Sequence, residues 1–357
     1  MEIMDLFRDD AFGMVSMTAA VNLQPYQPDF LGSLGIFTPA PIRTIDAAVA
    51  KTDAGNLRII PTTERGAPPV EQTTPGQSVQ SFRTPRIAIG DTITVAELQG
   101  ILARAAMMGI NFDLVLQDMA SEVAYRIDGP NGMRAKVEAT KERMRLGALQ
   151  GQVLDQDDSV IYDWPTLLGA SLPAEIDFNL DAASPVPGVL TTAIRQLERS
   201  ILRAAKAGNN TRASVLALCG DAFFDAFVTH PDVMASYQTF IALQSARLNN
   251  PSADIRAFSV FNYADIDWVN YRGTDDNTTI KLDTNKVKFV VRNVPGLFQE
   301  VLAPAEFEPF YNQPGLPIYS LLLQDPSGRR AYVRAEMYSY PMYICTRPET
   351  LFRGKLT

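Results

Sequence analysis

Nucleophile–base catalysis of the Ser–His–Asp or Cys–His kind needs an imidazole, and the chain offers one, His230, in the run VTHPD. Between a Phe-rich segment and Pro231, that position reads as a helix junction, where an imidazole meets the last helix carbonyls. Cys219 and Cys345 stand in the apolar runs VLALC and MYIC. Two distant thiols and one His give neither zinc-type spacing nor a disulfide framework, and read as buried, reduced cysteines. Asp155, Asp157 and Asp158 resemble half of a calcium loop, but the Gly at its sixth position and the late bidentate Glu are missing, as in a solvated hairpin turn. Asp275-Asp276 and Glu306/Glu308 could do acid–base work, yet both pairs lie in turn-like sequence. Gly129-Pro130-Asn131-Gly132 and Gly328-Arg329-Arg330 lack the Gly-Lys-Ser/Thr of a phosphate loop. Arg195, Arg199, Arg203 and Lys206 line one side of a helix with Glu198 interleaved and no aromatics, as a solvated face does. No catalytic, cofactor or metal site is expected, and no enzyme.

The elements that would position such groups follow from composition and pattern. Apolar content is ordinary and the chain, at 357 residues, can bury one large core or two smaller ones. A net charge of −8 argues against a nucleic-acid reader. No run approaches the roughly eighteen apolar residues of a membrane span. The start, MEIMDLFRDDAF, lacks a signal-peptide pattern, so a cytoplasmic origin and no membrane partner are expected.

The first forty residues are too apolar for a free tail and too broken by Pro25, Pro28, Gly32 and Gly35 for a long helix, so they read as a docked strap. Residues 43–94 read as two extended polar arms around a Pro/Gly/Thr-rich tip, too polar and proline-broken to form part of a core. At about twenty residues per arm and roughly 3.4 Å each, the arms reach some 70 Å. A hairpin of this kind is marginal alone and needs another surface, for which a second copy of the chain is the nearest candidate. The capping box Thr94-Val95-Ala96-Glu97 opens a helix, a second runs near 113–127, and 134–152 predicts a long charged helix with a thin apolar stripe. A hairpin turns at 156–159. Beyond the proline-rich boundary at 183–188 the pattern becomes α/β: a helix from Leu190, a buried strand at 213–219, a Phe-rich helix capped by Asp221, then strands to Cys345.

The passages MTAAVNLQPYQPDFLGSLGIF, RIIPTTERGAPP and MYSYPMYICTRPETLF, with this order of parts, resemble the major capsid proteins of tailed phages. More narrowly the chain is similar to the lambda-like major head protein family, also called capsid protein E. That resemblance implies an α+β chain with the Hong Kong 97 fold. It implies an N-terminal arm (1–36), an extended E-loop (37–93), a peripheral P-domain with a spine helix (94–182, completed by 316–357) and an axial A-domain (183–315). It further implies self-assembly into hexamers and pentamers of an icosahedral shell enclosing DNA, without sequence-specific DNA binding. The E-loop is expected to lie over a neighbouring subunit. Since no charge-rich scaffolding segment precedes the arm, a separate scaffolding protein is expected, besides a portal and a decoration protein. Lys51 lies in the loop, but no Asn and acid partner is identified for a cross-link. Candidate intersubunit contacts are Arg58, Glu64, Arg65 and Arg83 on the loop, with Glu138, Glu142 and Arg145 on the spine helix as partners. Other readings of the residues are an encapsulin-like nanocompartment shell, a cytosolic hydrolase using Asp/Glu chemistry, and a tail-tube or connector protein.

Overall fold

A computed structural model describes residues 30–52, 77–94, 124–129, 132–182, 184–205, 213–234, 260–271, 280, 282–325 and 332–357. In chain order these begin with α1 (Phe30–Ser33), β1 (Thr38–Pro41), β2 (Asp46–Thr52), β3 (Gln77–Arg83) and β4 (Ile87–Thr94). There follow α2 (Met133–Gln150), β5 (Gln152–Leu154), β6 (Val160–Asp163), α3 (Trp164–Leu168), β7 (Ile176–Asp177) and α4 (Val189–Ala204). Next come β8 (Ser214–Cys219), α5 (Asp221–Thr229), β9 (Val260–Tyr263), β10 (Ile266–Asn270), β11 (Lys286–Arg292) and β12 (Phe298–Leu302). The chain closes with β13 (Tyr319–Gln324), β14 (Tyr332–Ser339), β15 (Pro341–Cys345) and β16 (Arg353–Lys355).

The continuous apolar run of β8 is explained by its place inside a six-stranded sheet, ordered β7-β16-β11-β8-β10-β9. Strands buried on both faces need apolar residues at every position, and Val215 to Cys219 are each 1 % exposed or less. Phe178, Phe223, Phe227 and Phe289 surround Trp268 on one face, with the Phe227 and Trp268 rings stacked at 4.0 Å. Asp221 sits in the first turn of α5 rather than capping it, since Gly220 holds the cap position.

Two three-stranded sheets flank this unit, ordered β1-β12-β15 and β13-β14-β4. The long helix α2 packs on β4, β14, β15 and β11 and so ties all three sheets together. It ends where Gly151, at φ 95°, turns its N–H back onto the carbonyls of Ala148 and Gly147.

Two expectations need correction. Residues 43–94 do contribute to a core: Ala47, Val49 and Ile93 are buried, and β4 pairs along its whole length with β14, from Ile87–Ser339 to Thr94–Tyr332. Alternation of apolar and polar residues was enough to place one face of β4 on α2. The helix expected to show a thin stripe is instead buried on its charged side, where Glu138, Lys141, Glu142 and Arg145 are all under 9 % exposed. The helices expected from residue 95 and over most of 113–127 lie outside the described residues, as does the apolar strap before residue 30.

Candidate assembly interface

The base of the hairpin β2–β3 is locked to its own subunit. Phe82 stands edge-on to Trp164 at 5.5 Å and to Tyr162 at 6.0 Å, and the last two rings stack on each other. The Tyr162 hydroxyl donates to the Arg83 carbonyl, and Thr84 donates through both its N–H and its hydroxyl to the Ile45 carbonyl. Asp163 helps to place Trp164 by accepting from Thr166 N–H, so that α3 starts where the indole must enter the core. From this base β2 and β3 run out as a ribbon, paired among the described residues only with each other, in register from Asp46–Arg83 to Thr52–Gln77.

The charges of α2 are spent inside the subunit. Lys141 Nζ donates to Glu138 at 3.2 Å and to the Pro317 carbonyl at 2.9 Å. Glu142 accepts from Leu31 N–H at 3.0 Å and from the Tyr271 hydroxyl at 3.2 Å. Arg145 lies 3.8 Å from Glu142, 3.5 Å from Glu300 and over the Tyr343 ring, whose hydroxyl also donates to Glu300. One helix face thus holds α1, β10, β12 and β15 through buried charge.

A third feature crosses the outer face of β4 and β14. Glu306 pairs with Arg86 at 3.9 Å, Arg86 stacks over the Tyr338 ring at 4.9 Å, and the Tyr338 hydroxyl donates to Glu336. Glu336 then accepts from Arg334 at 2.8 Å, and Arg334 lies over Gly90, where any Cβ would sit 3.1 Å from its Nε.

These groups set the alkaline behaviour of the subunit. Burial, then the hydrogen bond to Glu336, pushes Tyr338 up from 10 to about 12. Burial raises Tyr340, Tyr343 and Cys345 as well. The folded state keeps protons there that the unfolded chain has released, so this stability is complete below about pH 9 for Cys345 and about pH 10 for the tyrosines, and is lost as pH rises toward 12. Lys141 and Lys288, lowered by burial, act in the opposite sense below 10.5. The melting temperature is expected to fall from about pH 10 upward. Tyr338→Phe should flatten that fall in calorimetric scans, and an unchanged slope would remove Tyr338 from the account.

The residues with catalytic or metal-binding chemistry do not converge. His230 is buried at the end of α5, and its Nδ1 accepts from Asp232 N–H at 3.3 Å. Cys219 and Cys345 are fully buried, with thiols raised by burial, to about 12 for Cys345. Asp155 and Asp157 bond within their turn, and Asp158 pairs with Arg143. Arg195, Arg199 and Arg203 are exposed on α4, while Lys206, Asp275-Asp276 and Gly328-Arg329-Arg330 lie outside the described residues. Among the described residues no three His, Cys, Asp or Glu form a metal-holding group.

Of the candidate contacts, Arg58, Glu64, Arg65 and the side chain of Lys51 lie outside the described residues. Arg83 is exposed at the hairpin base. Glu138, Glu142 and Arg145 are correctly placed on the long helix, but burial and their partners within the subunit leave them facing inward, not toward a neighbour's loop. Sequence reasoning missed Glu300, Tyr343 and Tyr271, the groups that complete this network. Their signal is weak, because an acid or tyrosine within a short strand looks the same whether its partner is water or a distant helix.

The profile of the family described as Phage major capsid protein E matches residues 13–356. The major capsid protein of Salmonella phage Felix O1 is 23% identical, with 95% of each chain covered. That of Pseudomonas phage KPP10 is 23% identical over 78% of each. Among solved structures, a protein assigned to the capsid of a prophage of E. coli CFT073 superimposes with a TM-score of 0.54 at 11% identity, covering 97% of this chain and 99% of that one. The shared fold is that of Hong Kong 97-type phage capsids. With the match running over nearly its whole length, this chain belongs to the phage major capsid protein E family and is a structural protein of the virion shell.

Proposed function

We propose that the chain builds its shell as hexamers and pentamers whose subunits are clasped by the hairpin β2–β3 and the segment 53–76 beyond it. The observation that carries this reading is the ribbon itself. Its base is fixed by Phe82, Tyr162 and Trp164, yet among the described residues β2 and β3 pair with no third strand. A two-stranded ribbon is marginal by itself, so a neighbouring subunit is the surface that completes it.

In this reading residues 37–93 are the E-loop. Residues 94–182 with 316–357 form the P-domain around α2, residues 183–315 form the A-domain around the six-stranded sheet, and residues 1–36 are the N-terminal arm. The side of Arg83 left exposed, with Arg58, Glu64 and Arg65, supplies the loop charges. A separate scaffolding protein, a portal and a decoration protein are the other partners, and assembly takes place in the host cytoplasm. Packaged DNA lies near the wall without tight binding, because a subunit of net charge −8 offers little counterion release. The family model that matches the chain is that of a phage capsid protein, which favours the shell over the hydrolase and cargo-compartment readings.

Sedimentation and electron microscopy of the chain, expressed alone and with its scaffolding partner, test the proposal. Megadalton closed particles with sixfold and fivefold clusters are expected. A preparation that yields only monomers and small oligomers under both conditions would refute it.

A further inference from the structure

The pairing of β11 with β16 works against the stability of the isolated subunit. It sets Lys286 directly opposite Lys355, and Lys288 directly opposite Arg353. Like charges facing each other destabilise a sheet. A slip of one residue would move all of them to the other face, but that face is closed. Gly354 pairs with Val287 there, and a Cβ on it would stand 2.4 Å from the Phe178 ring and 3.0 Å from Val287. Aromatic packing on one side therefore imposes four cations on the other.

Two acids balance the outer pair. Glu175 lies 3.3 Å from Lys286 Nζ, and Asp177 lies 3.4 Å from Lys355 Nζ. Among the described residues Lys288 and Arg353 have no ion-pair partner, and Arg353 Nε is buried without a hydrogen-bond acceptor. The burial of Lys288 and the nearby charges of Arg353 and Lys286 hold its ammonium below the usual range.

We infer that this face of β11 and β16 is a socket for carboxylate side chains of a second copy of the chain. Charge complementarity points to that occupant. Each copy carries a net charge of −8, so copies repel unless local positive surfaces meet acidic ones. The chain presents exposed acids for the purpose. The turn at 155–158 alone bears three exposed aspartates: Asp158 already pairs with Arg143, while Asp155 and Asp157 bond only within the turn, the Ser159 hydroxyl and N–H holding the Asp157 carboxyl below the usual range. A nucleic-acid phosphate fits less well, because the same net charge repels the polymer as a whole. The inference rests on the shell reading only in needing copies in contact.

The test co-assembles 15N-labelled and unlabelled subunits and treats the particles with a carbodiimide. The reagent joins an amine to a touching carboxylate as an amide, with loss of water. Mixed heavy–light peptides linking Lys286, Lys288 or Lys355 to an Asp or Glu of another copy are expected. Links confined to Glu175 and Asp177 of the same copy, in particles that do form, overturn the socket and leave the shell reading intact. Protection of these lysines only in DNA-filled particles overturns it in favour of phosphate. Absence of any particle sinks the shell reading and the socket with it. As a second arm, Lys288→Gln removes a like-charge neighbour, so the free subunit should melt no lower than the parent. The concentration needed for assembly should meanwhile rise about tenfold. A purely structural lysine gives the reverse, a lower melt with unchanged assembly.

Discussion

A subunit lacking residues 53–76, with Thr52 joined to Gln77 through an Asn-Gly turn, is expected to fold and to form no closed shells. Folding should survive because what holds the hairpin lies at its base. Ala47 and Val49 are buried, Phe82 sits against Trp164, and Tyr162 and Thr84 bond the strands on either side. The Asn-Gly pair suits the tight turn that a two-residue connection requires. Assembly should fail because a shell multiplies one modest contact over many copies, so losing that contact everywhere lowers the yield by at least about two orders of magnitude. Thermal melting and sedimentation of the same preparation separate the two outcomes. Shells of normal yield would show that the clasp is elsewhere, and a collapsed melt would show that the segment belongs to the subunit's own core.

Removing the Glu142 carboxylate is expected to do the reverse and damage the subunit itself. Glu142→Ala removes the carboxylate that accepts from Leu31 N–H and the Tyr271 hydroxyl, and takes one of the acids beside Arg145 away from it. Breaking one partner out of a buried charge network costs about 3–5 kcal/mol. At 2–4 °C per kcal/mol that is a fall of about 10 °C in melting temperature. Glu142→Gln keeps the acceptor oxygen and loses only the charge, so it should lose about half as much. Because Leu31 hangs from this carboxylate, the alanine variant should also be cut faster by protease near residue 30. A loss under about 1 kcal/mol in both variants would mean that the network is solvated and carries little.

Much of the fold is legible in the sequence, for definite reasons. SVLALC reads as a buried strand because only a strand with neighbours on both sides and both faces covered needs five apolar residues running. The long helix was placed within two residues of its observed ends, since its helix formers end at Gly151. The hairpin turn was read at 156–159, where Asp155 and Asp157 bond backbone N–H groups of the turn as such residues do. By contrast β1, β12 and β16 are three to five residues long, too short for periodicity to register, and they exist through their neighbours, β1 beside β12, β12 beside β15, and β16 between β11 and β7.

The sequence by itself determined which groups are available: one histidine, two apolar-flanked cysteines, an acidic excess, and a polar, proline-broken stretch with too few apolar residues for a core of its own. Those facts already turned the reading from catalysis toward assembly. Only the tertiary structure decided which charges are free for that task. Glu138, Glu142 and Arg145 have the sequence of a solvated helix, yet they meet Leu31, Tyr271, Glu300 and Tyr343 from more than a hundred residues away and are buried. Lys288 and Arg353 sit in ordinary alternating strands, yet register places them face to face, with no ion-pair partner for either among the described residues. The physical reason is that a charge's energy depends on what approaches within a few ångströms of it. Local spacing fixes an element's own faces, whereas the partner across the gap is supplied by the packing of distant segments.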